Sequence, residues 1–216
     1  MRTRSKLLLS ALIAALTLTA AVATASAGRL SLSEQGFRLV YTPLTFTGLG
    51  GLVQVRCNIT IRGSFHYRTI LKTRSLLGYI TDARLTRPCS GGEAWILNGV
   101  ERPTNTLPWH MTYDSFRGTL PRIEGVRLAI IGFSILLEVF GEGCLYASTS
   151  ASPAFAIINL NTATGAALSK TMDSNARIPL ASVLGEAAVC PSNGSFTGTS
   201  SSFTNGAGGV LSVRLI

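Results

Sequence analysis

The stretch Leu52–Ile61, LVQVRCNITI, decides how the rest of the chain is read. Val53, Val55, Cys57, Ile59 and Ile61 alternate with Gln54, Arg56, Asn58 and Thr60. Successive side chains of a β-strand point to opposite faces. The alternation therefore predicts a half-buried antiparallel strand with an apolar inner face and a polar outer one. Cys57 falls on the inner face, where a disulfide is sheltered, and Arg56 on the outer.

The same period recurs away from this stretch. Pro108–Asp114 sets Trp109, Met111 and Tyr113 against His110, Thr112 and Asp114, and Gly209–Ile216 alternates as well. Between the runs stand Thr47-Gly48-Leu49-Gly50-Gly51, Ser90-Gly91-Gly92, Asn98-Gly99, Gly141-Glu142-Gly143, Thr164-Gly165 and Asn205-Gly206. These supply the positive-φ positions that hairpins need. The count is about ten short strands, an all-β chain expected to form an antiparallel β-sandwich or a partly closed barrel. Thr69–Leu77 is the one helical candidate: Ile70, Thr73 and Leu77 share a side and Gly78 offers a C-cap. Val126–Phe140, apolar on both faces, reads as one or two central strands. The Ser/Gly-rich Ser192–Gly209 reads as a long hairpin tip. Ser115–Thr119 and Ser195–Thr199 share an S-F-x-G-T pattern, either coincidence or two equivalent strand ends.

Arg2, Arg4 and Lys6 precede an apolar stretch from Leu7 to about Val22, and Ala25-Ser26-Ala27 supplies a small-x-small site. Residues 1–27 thus read as a cleavable signal peptide, leaving 28–216 as a single secreted β domain. The longest later apolar run, Leu128 to Phe140, contains Glu138 and falls short of the roughly 20 residues a spanning helix needs. An outer-membrane barrel fits the strand count but not the four cysteines or the lack of a continuous lipid-facing band. Cys57, Cys89, Cys144 and Cys190 form an even set in an exported chain, which favours two disulfides. Four cysteines allow three pairings; Cys57–Cys89 with Cys144–Cys190 closes the shorter loops. There is no C-x-x-C, and both histidines are distant in sequence, so no metal site and no cofactor are expected.

Of the 216 residues 46% are hydrophobic and 13% charged, which excludes global disorder. No phosphate loop, dinucleotide fingerprint or nucleophile elbow is present. His110 and Asp114, four residues apart on one strand, stand about 13 Å from each other and form no dyad. Glu124 and Glu138 are scattered acids with no paired partner in sequence. A secreted hydrolase with a shallow site near His110, Asp114 or Glu124 is the alternative reading. Catalysis has no motif behind it.

Charge carries more information. The chain has 19 Lys and Arg against 10 acids, and three of the bases lie in the leader. Between Arg56 and Arg87 stand Arg56, Arg62, Arg68, Lys72, Arg74, Arg84 and Arg87, with Asp82 the one acid. This segment equals the whole net charge of residues 28–216. A basic face of this kind suits an anionic cell-envelope polymer; nucleic acid is not expected, since Phe65 and Tyr67 alone make no stacking platform. Trp109 shares the apolar face of its strand, whereas Trp95 sits between two glycine turns.

The segments Leu107-Pro108-Trp109-His110-Met111-Thr112-Tyr113, Phe116-x-Gly118-Thr119-Leu120-Pro121 and Gly125-Val126-Arg127-Leu128 give the chain its resemblance to an uncharacterised group of small exported proteins of actinobacterial genomes. Arg56-Cys57, Gly63-Ser64-Phe65-His66, Cys144-Leu145-Tyr146, Ile178-Pro179-Leu180 and Cys190-Pro191 are similar to the same set. The resemblance implies secretion and a shared disulfide-bearing fold, with no activity attached. The expectation is a secreted, non-enzymatic binding or structural protein.

Overall fold

In the computed structural model, which describes residues 29–48, 53–71, 73, 75–119, 122–139, 141–172, 177–184 and 190–216, the opening alternation runs further than the sequence marks. Strand β3 (Val53–Phe65) buries Val53, Val55, Cys57, Ile59 and Ile61 and exposes Gln54, Arg56, Asn58 and Arg62. Residues 1–27, the expected signal peptide, lie outside the described residues.

β3 is flanked antiparallel by β2 (Gly36–Gly48) and β5 (Leu76–Ser90). From β5 the ladder continues through β7 (Trp109–Thr119), β8 (Arg122–Ile131), β11 (Ala154–Leu160) and β12 (Ala167–Met172). From β2 it continues to β14 (Asn193–Asn205). Two residue pairs, Thr171–Thr199 and Met172–Gly198, then join β12 to β14 and close the ring. The closure is thin, and the result is a partly closed barrel.

Beyond β14 the same sheet runs on through β13 (Ile178–Leu184), β10 (Glu142–Ala147), β9 (Ser134–Val139) and β6 (Glu93–Ile96). β2, β3, β5 and β14 are 13 to 15 residues long and belong to both parts. One half of these strands contributes Phe37, Leu39, Tyr41, Ile59, Ile61, Ile80 and Phe203 to the barrel interior. The other half contributes Leu44, Phe46, Val55, Cys57, Leu85 and Phe196, which face Ile135 and Leu137 of β9. Phe46 bridges the layers, with ring centroids 4.8 Å from Tyr146 and 5.2 Å from Phe196. Barrel and sandwich are thus two ends of one sheet, around one core. A small sheet of β1 (Arg29–Leu32) between β4 (Thr69–Leu71) and β15 (Val213–Leu215) adds Leu30, Leu32, Ile70 and Val213 to that core.

Both disulfides take the expected pairing. Cys57–Cys89 staples β3 to β5 with Cα atoms 4.5 Å apart, and Cys144–Cys190 ties β10 to the entry of β14 at 5.6 Å. Val126–Phe140 splits into β8 and β9 at Gly132 (φ +84°), where the chain leaves the barrel for the side sheet. Ser148 holds that crossing: its amide donates to Phe133 O and its hydroxyl to Ile130 O.

Three expectations need correcting. Among the described residues there are fifteen strands rather than about ten, the surplus including three- and four-residue pieces such as β1, β4, β6 and β15. The helical candidate is extended at both of its ends, where Thr69–Leu71 is β4 and Leu76 begins β5, while residues 72 and 74 lie outside the described residues. Ile70 is buried by pairing with Leu30, and that cross-strand contact outweighs fewer than three turns of helical pattern. Ser192–Gly209 is no hairpin tip, because Asn193–Asn205 is the strand that closes the barrel. Its serines and threonines mostly take the outer positions, while Phe196 and Phe203 point inward. Of the two readings of the S-F-x-G-T segments, coincidence fits: one ends β7 and the other lies inside β14.

Candidate binding face

The register of β2, β3 and β5 assembles their outer face. Arg38 stands beside Arg62, Arg62 beside Asp82, Thr60 beside Arg84, and Thr45 beside Arg56. With strands about 4.8 Å apart and same-face residues about 6.7 Å apart, Arg38, Arg62 and Arg84 have their Cα atoms within roughly 5–10 Å of a neighbour. Arg56 lies about 20 Å further along β3. All four are exposed. Asp82 is the one acid among the described outward residues of these strands, and it meets Arg84 Nε at 3.0 Å in a solvent-exposed pair. Such pairs contribute little stability, so this charge is available to a partner.

The seven basic residues expected from sequence divide. Arg56, Arg62 and Arg84 share the face just described. Arg68, in the connection after β3, meets Glu34 at 3.1 Å. Arg87 leaves the face at the end of β5: its Nη2 donates to Ala94 O at 3.3 Å and its guanidinium lies 5.0 Å from the Trp95 ring centroid. Lys72 and Arg74 lie outside the described residues. Arg38 is the residue sequence reasoning missed. It precedes the basic segment by eighteen positions, and only the β2–β3 pairing brings it to Arg62. The one signal for it was the alternation Phe37, Leu39, Tyr41, which turns Arg38 outward.

Arg87 and Trp95 border a junction where β5 and β6 face each other without a ladder. Glu101 bridges it, accepting Leu85 N and Ile96 N, both at 3.0 Å. Arg102 covers Trp95 at 4.2 Å. A cleft of about 230 Å³ opens here, lined by Arg87, Pro88, Cys89, Glu93 and Ala94.

The residues of the hydrolase alternative lie on the neighbouring wall and do not converge. His110 pairs with Ile131 at one end of the β7–β8 hairpin, while Glu124 sits at the other, roughly 24 Å away along the strand. Asp114, between them, accepts Arg127 Nη1 at 2.8 Å and the Ser115 hydroxyl at 3.0 Å. Arg127 in turn lies 3.7 Å over the Phe155 ring. A cleft of about 370 Å³ is lined by Thr112, Tyr113, Asp114, Ser150, Pro153 and Phe155 among others, with no histidine in its wall. Burial, then the Asp114 charge, push the Tyr113 hydroxyl upward. Glu138 is exposed, opposite Glu93.

Inside the barrel, Lys170 of β12 is 2% exposed. Burial pushes its ammonium down to about 8, and the group lies 5.8 Å from the Phe37 ring centroid. Its backbone N–H donates to Ser200 Oγ at 2.7 Å. The Tyr41 hydroxyl, one strand further, is buried without a hydrogen-bond partner and is pushed upward by that burial.

Among the described residues no group of three or more His, Cys, Asp or Glu side chains is placed to hold a metal ion, and no helix is long and apolar enough to cross a membrane. Compared with known proteins, the chain matches no protein-family model, no curated protein and no solved structure.

Proposed function

We propose that this is a secreted, non-enzymatic binding protein whose β2–β3–β5 wall associates with an anionic polymer of the cell envelope. The observation behind this reading is the convergence of Arg38, Arg56, Arg62 and Arg84 on one exposed sheet face with Asp82 as its one acid. An open sheet of same-sign charge raises the local concentration of a polyanion and meets it over many residues. Export is supported by the leader pattern in residues 1–27, by the resemblance to small exported proteins, and by two disulfides of the kind that persist in oxidising compartments. The hydrolase alternative has less behind it, because Asp114 is engaged with Arg127 and the His110–Glu124 separation is too long for shared chemistry.

The test is co-sedimentation with purified envelope material at low and at high salt. Wild type is expected in the pellet at low salt and in the supernatant at high salt, since exposed charges are screened. Arg38→Glu with Arg56→Glu and Arg62→Glu is expected to remain in the supernatant at both, with unchanged thermal stability. Pelleting of that variant at the wild-type level would sink the proposal.

A further inference from the structure

One two-residue step along the sheet from the row Arg38–Arg62–Asp82 lies the row Ser64–Tyr79–His110. Trp109 and Met111 are fully buried, so His110 points outward beside Tyr79. The Tyr79 ring is half-buried between two imidazoles, His66 at 4.8 Å and His110 at 5.2 Å between centroids. Tyr67 extends the group, 74% exposed and 6.3 Å from His66. Four rings, two from the turn after β3 and one each from β5 and β7, therefore border the arginines on one continuous surface. Phe65 takes no part, being 2% exposed in the core.

We infer that the anionic partner of this wall is an acidic polysaccharide, whose carboxylate or phosphate groups meet the arginines while its sugar rings pack on Tyr67, Tyr79 and the two histidines. The inference rests on the proposed function and specifies its ligand. Bare polyphosphate and lipid headgroups offer nothing to an aromatic face, so exposed rings beside the arginines are wasted on them. A pyranose offers an apolar C–H face rimmed by hydroxyls. Tyrosine and histidine suit it, each with an apolar ring face, a polar tip and only two side-chain torsions to immobilise. A single-stranded nucleic acid would also combine charge with rings, but it stacks on flat, accessible ring faces. Here the His66–Tyr79 and Tyr79–His110 planes meet at 75° and 70°, edge to face, which leaves no parallel-sided slot for a base.

The experiment compares binding of the full chain to polygalacturonate, inorganic polyphosphate, an oligo-dT strand and anionic phospholipid vesicles, for wild type, Tyr67→Ala, Tyr79→Ala and Arg38→Glu/Arg62→Glu. The expected result is that the arginine variant loses polygalacturonate and polyphosphate alike. Each tyrosine variant is expected to weaken polygalacturonate by about five- to tenfold and leave polyphosphate unchanged. If Tyr79→Ala folds poorly, Tyr67→Ala decides, since its side chain lies mostly in solvent. Equal binding of both polyanions with no loss in the tyrosine variants overturns the ring contact and leaves the basic wall intact. Failure of wild type to bind any polyanion overturns both. Tyrosine-dependent binding of oligo-dT or vesicles in preference to polygalacturonate overturns the assignment to a glycan.

Discussion

The wall built from β2, β3 and β5 carries Arg38, Arg56, Arg62 and Arg84 outward over an interior of Ile59, Ile61, Ile80 and Ala83. The wall built from β11, β12 and β14 carries a neutral outer ladder: Asn159 Nδ2 donates to Ser169 and Thr171 hydroxyls at 2.9 and 2.8 Å, and Thr171 meets Thr199 at 3.3 Å. Its charge is inside, at Lys170, beside the short β12–β14 closure. The contrast separates two uses of a positive side chain. An exposed arginine costs the fold little and can be changed without structural loss. A buried lysine lowers stability, because its charged form must leave water or lose its proton.

Loss of the staple in the basic wall is expected to have the largest effect. Cys57→Ser with Cys89→Ser opens a crosslink between residues 32 apart, and urea unfolding should show about 4 kcal/mol less stability. A loss well under 1 kcal/mol would mean that the β3–β5 ladder holds this wall unaided.

The neutral wall should respond in the opposite direction. Lys170→Met is expected to stabilise the protein by about 3 kcal/mol at pH 7, which follows from the fall of its ammonium from 10.5 to about 8. The unfolded chain keeps that proton to near pH 10.5 and the folded chain only below about 8. Unfolding between these values takes up a proton, so wild-type stability should rise as pH climbs from 8 towards 10 and stay level below 8 as far as this group is concerned. Above pH 10 Tyr41 opposes the gain, because it ionises more readily when unfolded. Denaturant midpoints across pH 7 to 10 should slope for wild type and lie flatter for Lys170→Met. Parallel curves would place the Lys170 ammonium in better contact with water than its burial indicates.

Charge reversal on the basic wall should change binding and leave folding alone. Arg38→Glu with Arg62→Glu is expected to weaken polyanion binding by roughly ten- to a hundredfold at low salt, with the melting temperature held within about 2 °C. The same reversal at Arg214, outside that wall, should leave binding nearly as it was; an equal loss there would dissolve the distinction between the walls. Smallest of all, Asp114→Asn, which removes the charge facing Arg127 in a pair 28% and 15% exposed, should cost about 1 kcal/mol in thermal unfolding and nothing in polyanion binding.

How much of this was legible varied with distance along the chain. Val53 to Ile61 and Trp109 to Tyr113 were assigned to the correct faces because alternation is a property of neighbouring residues. Thr69–Leu77 misled because Ile70 is buried by Leu30, forty positions away, and a few apolar residues satisfy either period. Asn193–Asn205 misled because its outer ladder of serine and threonine has the composition of a loop, while the two phenylalanines that mark its inner face are seven residues apart. On the candidate face, Arg56 and Arg62 could be placed outward from their own strand. Arg84 and Arg38 reach the same surface only through the registers of β5 and β2 against β3, and Arg87 is drawn away by Trp95.

The sequence by itself determined the all-β class, the inward and outward residues of its clearest strands, the disulfide pairing favoured by loop length, and the concentration of positive charge between positions 56 and 87. The tertiary structure alone decided that one sheet closes as a barrel at one end and packs as a sandwich at the other. It also decided which arginines form a common face with Tyr79 and His110, and that Lys170 lies buried. The reason is physical. Which way a side chain points is fixed within two or three residues by the backbone of an extended strand. Which strands become neighbours, and in what register, is fixed by the burial of apolar surface across the whole chain.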